Sequence, residues 1–209
     1  MEAAPRRSGR PRDEELTARR REEILTVAAE FFAAHGYRGT DVQEVADRLE
    51  VGKGTVYRYF PSKRELFLGA VDRGMRELQA SVAEATEGVE DPLRRIEMAI
   101  RTYLAYFEAH PDLVELFMQE RAQFRDRATP TYFEHQNANT GPWRQLLLDL
   151  MAAGRVRQVP VERITDVTSA LLYGTIFTNY FAGRQKPHDE QAGDILDLLF
   201  NGILSQEES

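Results

Sequence analysis

The chain has 209 residues, of which 42% are hydrophobic and 29% charged, so it is long enough for one or two globular domains. It contains no cysteine, which excludes disulfides, thiolate metal sites and cysteine nucleophiles. No apolar run approaches the roughly 18 residues of a membrane-spanning helix, and the first residues lack the apolar core of a secretory signal. A cytoplasmic protein without membrane association is therefore expected.

The net charge of -7 is unevenly distributed. Residues 1–76 hold 15 Lys and Arg against 13 Asp and Glu, whereas the remaining residues hold 12 against 21. Four arginines lie within the first twelve residues. Such asymmetry is typical of a nucleic-acid-binding end joined to a domain of another kind, although a chance distribution of solvated charges has the same appearance.

The spacing of apolar residues predicts helices along almost the whole chain, and no segment has a convincing strand pattern. Residues 19–35 carry apolar side chains every three or four positions, and Gly36 follows where a helix ends in a left-handed residue. A long helix is predicted to begin near Ser62, whose spacing to Glu65 is that of a capping box, and to end near Gly88.

Two short helices are predicted between these long ones. The first begins at Thr40, whose spacing to Gln43 is also that of a capping box. Gly52 and Gly54 then interrupt the helical pattern, and the second short helix covers residues 55–60. Two short helices joined by a tight turn form a helix-turn-helix, whose second helix can lie in the major groove of DNA.

Proline residues divide the second half of the chain into further predicted helices. Pro92 follows an aspartate that can cap the next helix, and Pro111 and Pro130 open two more. Apolar-rich helices over residues 161–182 and 189–204 complete the prediction of an all-α fold.

The letters GKGT, residues 52–55, look like the end of a nucleotide-binding phosphate loop. That motif requires a preceding strand, a glycine five positions before the first glycine of GKGT, and Ser or Thr directly after the lysine. In this chain the preceding segment has a helical pattern instead of a strand pattern. Asp47 stands where the glycine is required, and Gly54 stands where Ser or Thr is required. A nucleotide-binding loop is therefore rejected.

The second short helix has two different faces. Val56 and Phe60, four positions apart, can pack inward on the first helices. The other side chains are predicted to face outward: Thr55, Arg58 and Tyr59, with Tyr57 at the boundary. A wholly buried short helix would not have such a face, so contact with DNA is expected here.

Residues 36–67, GYRGTDVQEVADRLEVGKGTVYRYFPSKRELF, resemble without a gap the DNA-binding domain of the TetR/AcrR family of transcriptional repressors. The resemblance implies an all-helical homodimer that binds a palindromic double-stranded DNA operator. It also implies a C-terminal helical domain that binds a small-molecule inducer. The organisation then expected is a basic, disordered arm over 1–17, a three-helix helix-turn-helix DNA-binding domain over 18–80, and an effector-binding and dimerisation domain over 81–209.

The resemblance also assigns DNA contacts to individual positions. Those that match the family's phosphate contacts are Thr40, Lys53, Tyr59 and Lys63, with Tyr57 as an aromatic that contacts backbone or base. Those that match its base-reading positions are Gly54, Thr55 and Arg58. Arg58 is the strongest candidate for direct readout, because arginine pairs bidentately with guanine; a solvated surface arginine is the alternative.

The arm is a second candidate DNA contact. Residues 9–12, Gly-Arg-Pro-Arg, resemble the core of AT-hook peptides, so Arg10 and Arg12 are candidates for the minor groove, where arginine is favoured in narrow A-tracts. A disordered, solubilising tail is the alternative.

The resemblance implies that the last two helices, each with an apolar stripe, form a four-helix dimer interface with a second copy. The predicted contact residues are Ile164, Val167, Leu171, Gly174, Thr178, Ile195, Leu198, Leu199 and Gly202. Ordinary packing within one chain is the alternative.

Aromatic residues are frequent in the middle of the chain and predict a cavity for an apolar ligand, with plain core packing as the alternative for each of them. The candidate ligand-binding residues are Tyr103, Phe107, Phe117, Phe124, Trp143, Tyr173 and Phe177. Glu120, Glu134 and His135 raise the question of a metal or a cationic ligand, but their spacing matches no known metal site. No metal, cofactor or catalytic activity is expected, because no nucleophile and base are recognisable together.

These features predict a sequence-specific DNA-binding regulator, a repressor released from its operator by a small apolar or aromatic ligand. An activator of the same type is one alternative. A helical ligand carrier or small enzyme with a vestigial helix-turn-helix is another.

Overall fold

The computed structural model describes residues 11–183 and 186–202, and within those residues the chain forms nine helices and no strand. The helices are α1 (Pro11–Gly39), α2 (Val42–Arg48), α3 (Lys53–Tyr59), α4 (Lys63–Thr86), α5 (Pro92–Ala109), α6 (Pro111–Gln123), α7 (Thr131–Ala152), α8 (Val161–Ala182) and α9 (His188–Asn201). The predicted all-α fold is confirmed. The described residues divide into two compact units within α4, between Arg73 and Gly74, a few residues before the boundary expected after residue 80.

The first unit is organised around the apolar side of α1. Ile24, Leu25 and Phe32 are completely buried, which accounts for the helical spacing of the apolar residues. The ring of Phe67, from the first turns of α4, meets that of Phe32 edge-on at 5.0 Å between centroids. Burial of these side chains is the main stabilising contribution in this unit, at about 1.5–3 kcal/mol for each.

A kink at Gly36 separates the end of α1 from its body. Gly36 has φ of 73°, a left-handed conformation that favours glycine. Its carbonyl accepts a hydrogen bond from the Thr40 N–H at 3.1 Å. The chain is thereby turned toward α2 at the position where the glycine predicted the end of the helix.

The start of α1 differs from the expected disordered arm, because the helix begins at Pro11. Proline is favoured in the first helical turn, and the acidic Glu14 and Glu15 suit the positive end of the helix dipole. Arg12 therefore belongs to a helix, whereas Arg10 and the rest of residues 1–10 lie outside the described residues. The minor-groove assignment of both arginines stays a prediction.

The second unit packs α5 against α6, α8 and α9, and α8 against α6 and α7. Proline and aspartate start several of its helices as predicted: the Asp91 carboxylate accepts a hydrogen bond from the Arg94 N–H at 3.3 Å, and Pro92 occupies the first turn of α5. Helix α8 has the predicted bounds. This arrangement brings the side chains of α6, α7 and α8 together.

Candidate nucleic-acid interface and effector cleft

The turn between α2 and α3 is short and closed by backbone hydrogen bonds. Glu50 adopts a left-handed φ of 55°, which lets the chain reverse directly after α2. The Val51 N–H then donates to the Ala46 carbonyl at 3.0 Å, and Gly52 occupies the N-cap of α3. The turn therefore determines the direction in which α3 leaves α2.

Helix α3 has one buried and one exposed face, as the sequence predicts. Val56 and Phe60 are buried in the first unit. Tyr57 and Arg58 are exposed, and the Arg58 guanidinium lies 5.5 Å from the centre of the Tyr59 ring. Thr55 and Tyr59 are half-buried, so their outward orientation is less complete than predicted.

Gly54 lies in the first turn of α3 and is exposed. A Cβ atom built on it would meet no other atom within 4 Å, and its φ is not left-handed. The fold of the protomer therefore does not require glycine at this position. Close approach of another molecule to the backbone is a physical reason for a residue without a side chain.

Lys53, at the first position of α3, is paired with the N-cap of α2. Its Nζ lies 2.8 Å from Oδ1 of Asp41, and the same oxygen accepts a hydrogen bond from the Gln43 N–H at 2.8 Å. The Gln43 N–H and then the Lys53 ammonium lower the pKa of Asp41. Lys53 is thus held at the exposed N-terminal end of α3 by a surface ion pair that a phosphate group can replace.

Lys63, at the start of α4, is held by two groups of the first unit. Its Nζ donates to the Arg38 carbonyl at 3.3 Å and lies 5.1 Å from the centre of the Tyr37 ring. Partial burial lowers the pKa of Lys63. These two contacts hold the Lys63 ammonium group in one position. A lysine that is predicted to contact a phosphate at a fixed place needs such support.

Thr40 does not have the predicted role. Its side chain is only 2% exposed, and its single hydroxyl hydrogen is shared between the Gly36 and Phe31 carbonyls, whose oxygens lie 2.8 and 3.0 Å from Oγ1. The N-cap of α2 is Asp41, which forms the capping box with Glu44. A capping-box spacing one residue out of register misled the sequence prediction, and burial removes the Thr40 hydroxyl from contact with phosphate.

Most of the predicted effector residues form one network of aromatic rings in the second unit. Ring centroids are 4.9 Å apart for Tyr103 and Phe107, 6.0 Å for Phe107 and Phe117, and 4.6 Å for Tyr173 and Phe177. Phe124 is buried at the C-terminal end of α6, and Trp143 is half-buried on α7. Among the described residues, Trp143 has no ring contact with this network.

Tyr132 connects the two halves of the network and was not among the residues predicted to bind the ligand. Its ring lies 5.4 Å from Phe117 and 4.8 Å from Tyr173. Its hydroxyl is 2.9 Å from that of Tyr103, and burial raises the pKa of Tyr132 to about 12. The residue lies two positions after Pro130, and only its ring contacts with α6 and α8 reveal its central place.

A cleft of about 440 Å³ opens beside this network. Its wall combines aromatic rings with two charged side chains and a short loop: Phe117, Glu120, Arg121, Ala128, Thr129, Pro130, Tyr132, Phe133 and Tyr173. The size and the largely apolar wall suit a small organic molecule. Of the predicted ligand residues, Phe117 and Tyr173 line this cleft.

The predicted dimer residues on α8 form an outward-facing stripe. Val167, Leu171, Gly174 and Thr178 are exposed and Ile164 is half-buried. Phe181 continues the stripe three positions after Thr178 and is 68% exposed, a residue that the helical spacing would have identified.

The predicted residues on α9 divide into two groups. Leu198 and Gly202 are exposed and Leu199 is half-buried. Ile195 is only 6% exposed, so it belongs to the core of the protomer and its assignment to the interface is corrected. Phe200, which the prediction did not include, is exposed instead.

The acidic and histidine side chains considered for a metal have other partners. Glu134 binds the Arg127 guanidinium at 2.6 Å, and Nδ1 of His135 lies 2.7 Å from Nε2 of Gln79. No cluster of three metal-ligating side chains occurs within residues 14–183 and 186–202. Across the same part of the chain, none of the helices has the length and apolarity needed to cross a membrane.

Comparisons with known proteins concern both units. The model of bacterial regulatory proteins of the tetR family matches residues 24–70. The HTH-type transcriptional activator FasR of Mycolicibacterium smegmatis is 35% identical over 98 residues, covering 47% of this chain and 42% of FasR. The HTH-type transcriptional repressor SCO4008 of Streptomyces coelicolor is 30% identical over 125 residues, covering 60% of each chain. The chain therefore spans about half the length of these curated relatives.

The solved structure of the transcriptional regulator FadR from Bacillus subtilis, in complex with stearoyl-CoA, has the same fold. Its TM-score is 0.75 at 16% identity, with 88% of this chain and 99% of FadR covered. This likeness shows the fold alone. Residues 24–70 include the whole helix-turn-helix, and both relatives are named as HTH-type regulators, so this part of the chain is a DNA-binding domain of the tetR family of bacterial regulatory proteins.

Proposed function

We propose that this protein is a homodimeric transcriptional repressor of the cytoplasm that binds a palindromic DNA operator and leaves it when a small apolar or aromatic molecule binds the second unit. The observation that carries the proposal is the outer face of α3. It presents Tyr57 and Arg58 to solvent beside Gly54, a glycine that the fold itself does not need. Such a face has no evident use in a ligand carrier or a small enzyme.

In this proposal α3 lies in the major groove of DNA. Arg58 donates two hydrogen bonds to O6 and N7 of a guanine, while the first turn of α3 approaches the DNA closely at Gly54. Lys53 exchanges its surface carboxylate partner for a phosphate, and Lys63 binds a second phosphate. Phosphate contacts determine the position of the helix, and the base contacts determine the sequence that it prefers.

A two-fold operator requires a two-fold protein. The exposed apolar stripe of α8, together with Leu198 on α9, supports a four-helix interface with a second copy. Two copies of α3 would then read half-sites about 34–36 Å apart. A ligand releases the DNA only to the extent that it binds better to a dimer with a different spacing.

Activation of transcription is a second candidate function, because one relative, FasR, is named as an activator. Both functions use the same DNA-binding face. The position of the operator relative to the promoter separates them, and a transcription assay on the selected operator measures the sign directly.

The proposal is tested by selecting operator sequences from random DNA with the full chain. We expect a palindrome whose affinity falls steeply with salt concentration, as counterion release requires. Candidate ligands are then added to the complex to measure release. A stable dimer that selects no sequence and does not bind DNA at low salt would contradict the proposal.

Gly54→Ala separates DNA contact from folding. Alanine has space in the protomer and is the better helix former by about 1 kcal/mol, so thermal stability should be unchanged or higher. Operator affinity should nevertheless fall by about tenfold or more, equivalent to ~1.4 kcal/mol. Gly193→Ala on α9, where a Cβ also meets nothing within 4 Å, is the matched control and should leave affinity unchanged.

A further inference from the structure

The cleft of the second unit contains a buried carboxylate, that of Glu120 on α6. The residue is only 2% exposed. Its Oε1 accepts hydrogen bonds from the N–H and the hydroxyl of Thr131, both at 2.9 Å, and lies 3.4 Å from Nε of Arg127. One carboxylate oxygen therefore has several donors, and these contacts hold the side chain in place against the N-terminal turn of α7.

The second oxygen of Glu120, Oε2, is buried and has no hydrogen-bond donor among the described residues. A buried carboxylate oxygen without a donor is costly and rare in folded proteins. Glu120 belongs to the wall of the 440 Å³ cleft, so a bound molecule whose donor reaches this carboxyl group, with a small movement of the side chain, would supply the missing hydrogen bond.

The positively charged side chains near Glu120 neutralise its carboxylate only in part, so a positively charged group of a ligand can also bind there. Arg127 is shared, because it also binds the Glu134 carboxylate at 2.6 Å and the Thr129 carbonyl at 3.4 Å. Arg121 lines the same cleft, but it is exposed, so solvent screens its charge. The buried charge of the cleft wall is therefore that of the Glu120 carboxylate, offset in part by Arg127.

The remaining wall is aromatic and suited to the body of such a ligand. Tyr132, Phe133 and Tyr173 contact one another, with centroid distances of 4.8–5.3 Å, and all three line the cleft. The faces of aromatic rings attract cations and stack with flat molecules. The rings and the carboxylate thus favour the same kind of ligand.

We infer that the cleft binds an apolar or aromatic molecule carrying a positively charged hydrogen-bond donor, such as a protonated amine, whose donor binds Oε2 of Glu120. Its apolar body lies against Tyr132, Phe133 and Tyr173. This inference deepens the ligand-responsive part of the proposed function and rests on it for biological meaning. Binding itself does not depend on DNA.

Three naphthalene probes of nearly equal size test the inference by isothermal titration calorimetry on the full chain at pH 7. They are 2-naphthylmethylamine, which is protonated, the neutral 2-naphthylmethanol, and the anionic 2-naphthoate. The amine should bind at least about tenfold more tightly than the carboxylate, with the alcohol between them, because hydrogen bonds to a charged acceptor are the strong ones. Equal affinities, a preference for 2-naphthoate, or no binding of the amine would overturn the inference.

Glu120→Gln tests the residue. Glutamine retains an oxygen for Thr131 but removes the negative charge, so the preference for the amine should disappear. Glu134→Gln removes a carboxylate from the same arginine outside the cleft wall and should keep the preference. Helicity and melting temperature verify that both variants are folded, and a Glu120→Gln protein that still prefers the amine would contradict the assignment.

Operator release is measured separately with the same probes. If the amine binds but the protein has no operator, the proposed function fails while the ligand class stands. If the protein binds an operator but no amine, the ligand class fails while the regulator stands.

Discussion

The two units of this protein differ in how their candidate sites are assembled. In the first unit every candidate DNA contact with a described side-chain contact comes from one continuous segment, residues 36–67, in which each turn and cap is local. In the second unit, the cleft combines α6, the loop after it, the start of α7 and the middle of α8. A site made by local structure can be recognised from its motif, whereas a site made by packing cannot.

The units also differ in the surface they present. The first unit exposes polar and aromatic side chains on α3 and buries most of its large aliphatic residues, with Leu16, at 58% exposed, as an exception. The second exposes Val167, Phe181 and Leu198, at 57%, 68% and 52%. Exposed apolar patches of this kind mark protein interfaces. The two units therefore present different surfaces, polar and aromatic on α3 and apolar on α8 and α9.

The largest expected effect is on assembly. The double substitution Val167→Glu with Leu198→Glu places charges on the exposed stripe and should convert the dimer to a monomer by analytical ultracentrifugation. Operator affinity should fall by about 10²–10⁴-fold, because two linked half-site contacts become one. Leu148→Glu on α7, at a similarly exposed leucine outside the stripe, is the control. A double variant that remains dimeric would place the interface elsewhere.

Arg58→Ala should have the next largest effect. We expect a loss of about 1–3 kcal/mol in operator binding and relaxed specificity at one base pair in each half-site. Arg58→Lys keeps the charge without the bidentate geometry, so it should restore non-specific affinity but not the base preference. Binding to mutated operators measures both. Equal losses on operator and scrambled DNA would show that Arg58 contacts only the backbone.

Thr40→Val and Lys63→Met distinguish a structural residue from a phosphate contact. Thr40→Val removes the hydroxyl hydrogen that the Phe31 and Gly36 carbonyls share, so it should lower the free energy of unfolding by about 1 kcal/mol. The salt dependence of operator binding should not change. Lys63→Met should reduce the slope of log affinity against log salt concentration by about 1, the value for one lost phosphate contact, with little effect on the free energy of unfolding. The reverse pattern would restore the DNA role of Thr40.

The smallest effect is the pH dependence contributed by Asp41. The Gln43 N–H and the Lys53 ammonium lower its pKa in the folded state. A lowered carboxyl pKa contributes stability above the unfolded pKa, and this contribution is lost as pH falls through the folded pKa, below about 4. Asp41→Asn should therefore be slightly less stable than the unaltered protein at pH 7 and equally stable near pH 2. Urea unfolding at both values measures the difference, and a constant difference would exclude this linkage.

Much of the fold follows from local chemistry. Several local signals each act within one or two helical turns: proline and aspartate at helix starts, the glycine at position 36, and apolar residues at helical spacing. These signals predicted the all-α fold and the bounds of α8. The faces of α3 followed for the same reason, since helical spacing determines which side chains share a side. Thr40 shows where such local prediction fails. Thr40 with Gln43 and Asp41 with Glu44 both have the spacing of a capping box, and only the burial of Thr40 in the structure identifies Asp41 as the cap.

Long-range packing decided the remainder. No spacing along the chain indicates that Tyr132 joins the rings of α5 and α6 to those of α8, or that Glu120 meets Thr131 with one oxygen and leaves the other without a donor. Nor does helical spacing separate Ile195, which is buried within its own protomer, from Leu198, which is exposed. These properties depend on which helices meet, and that depends on side chains far apart in sequence competing for the same core.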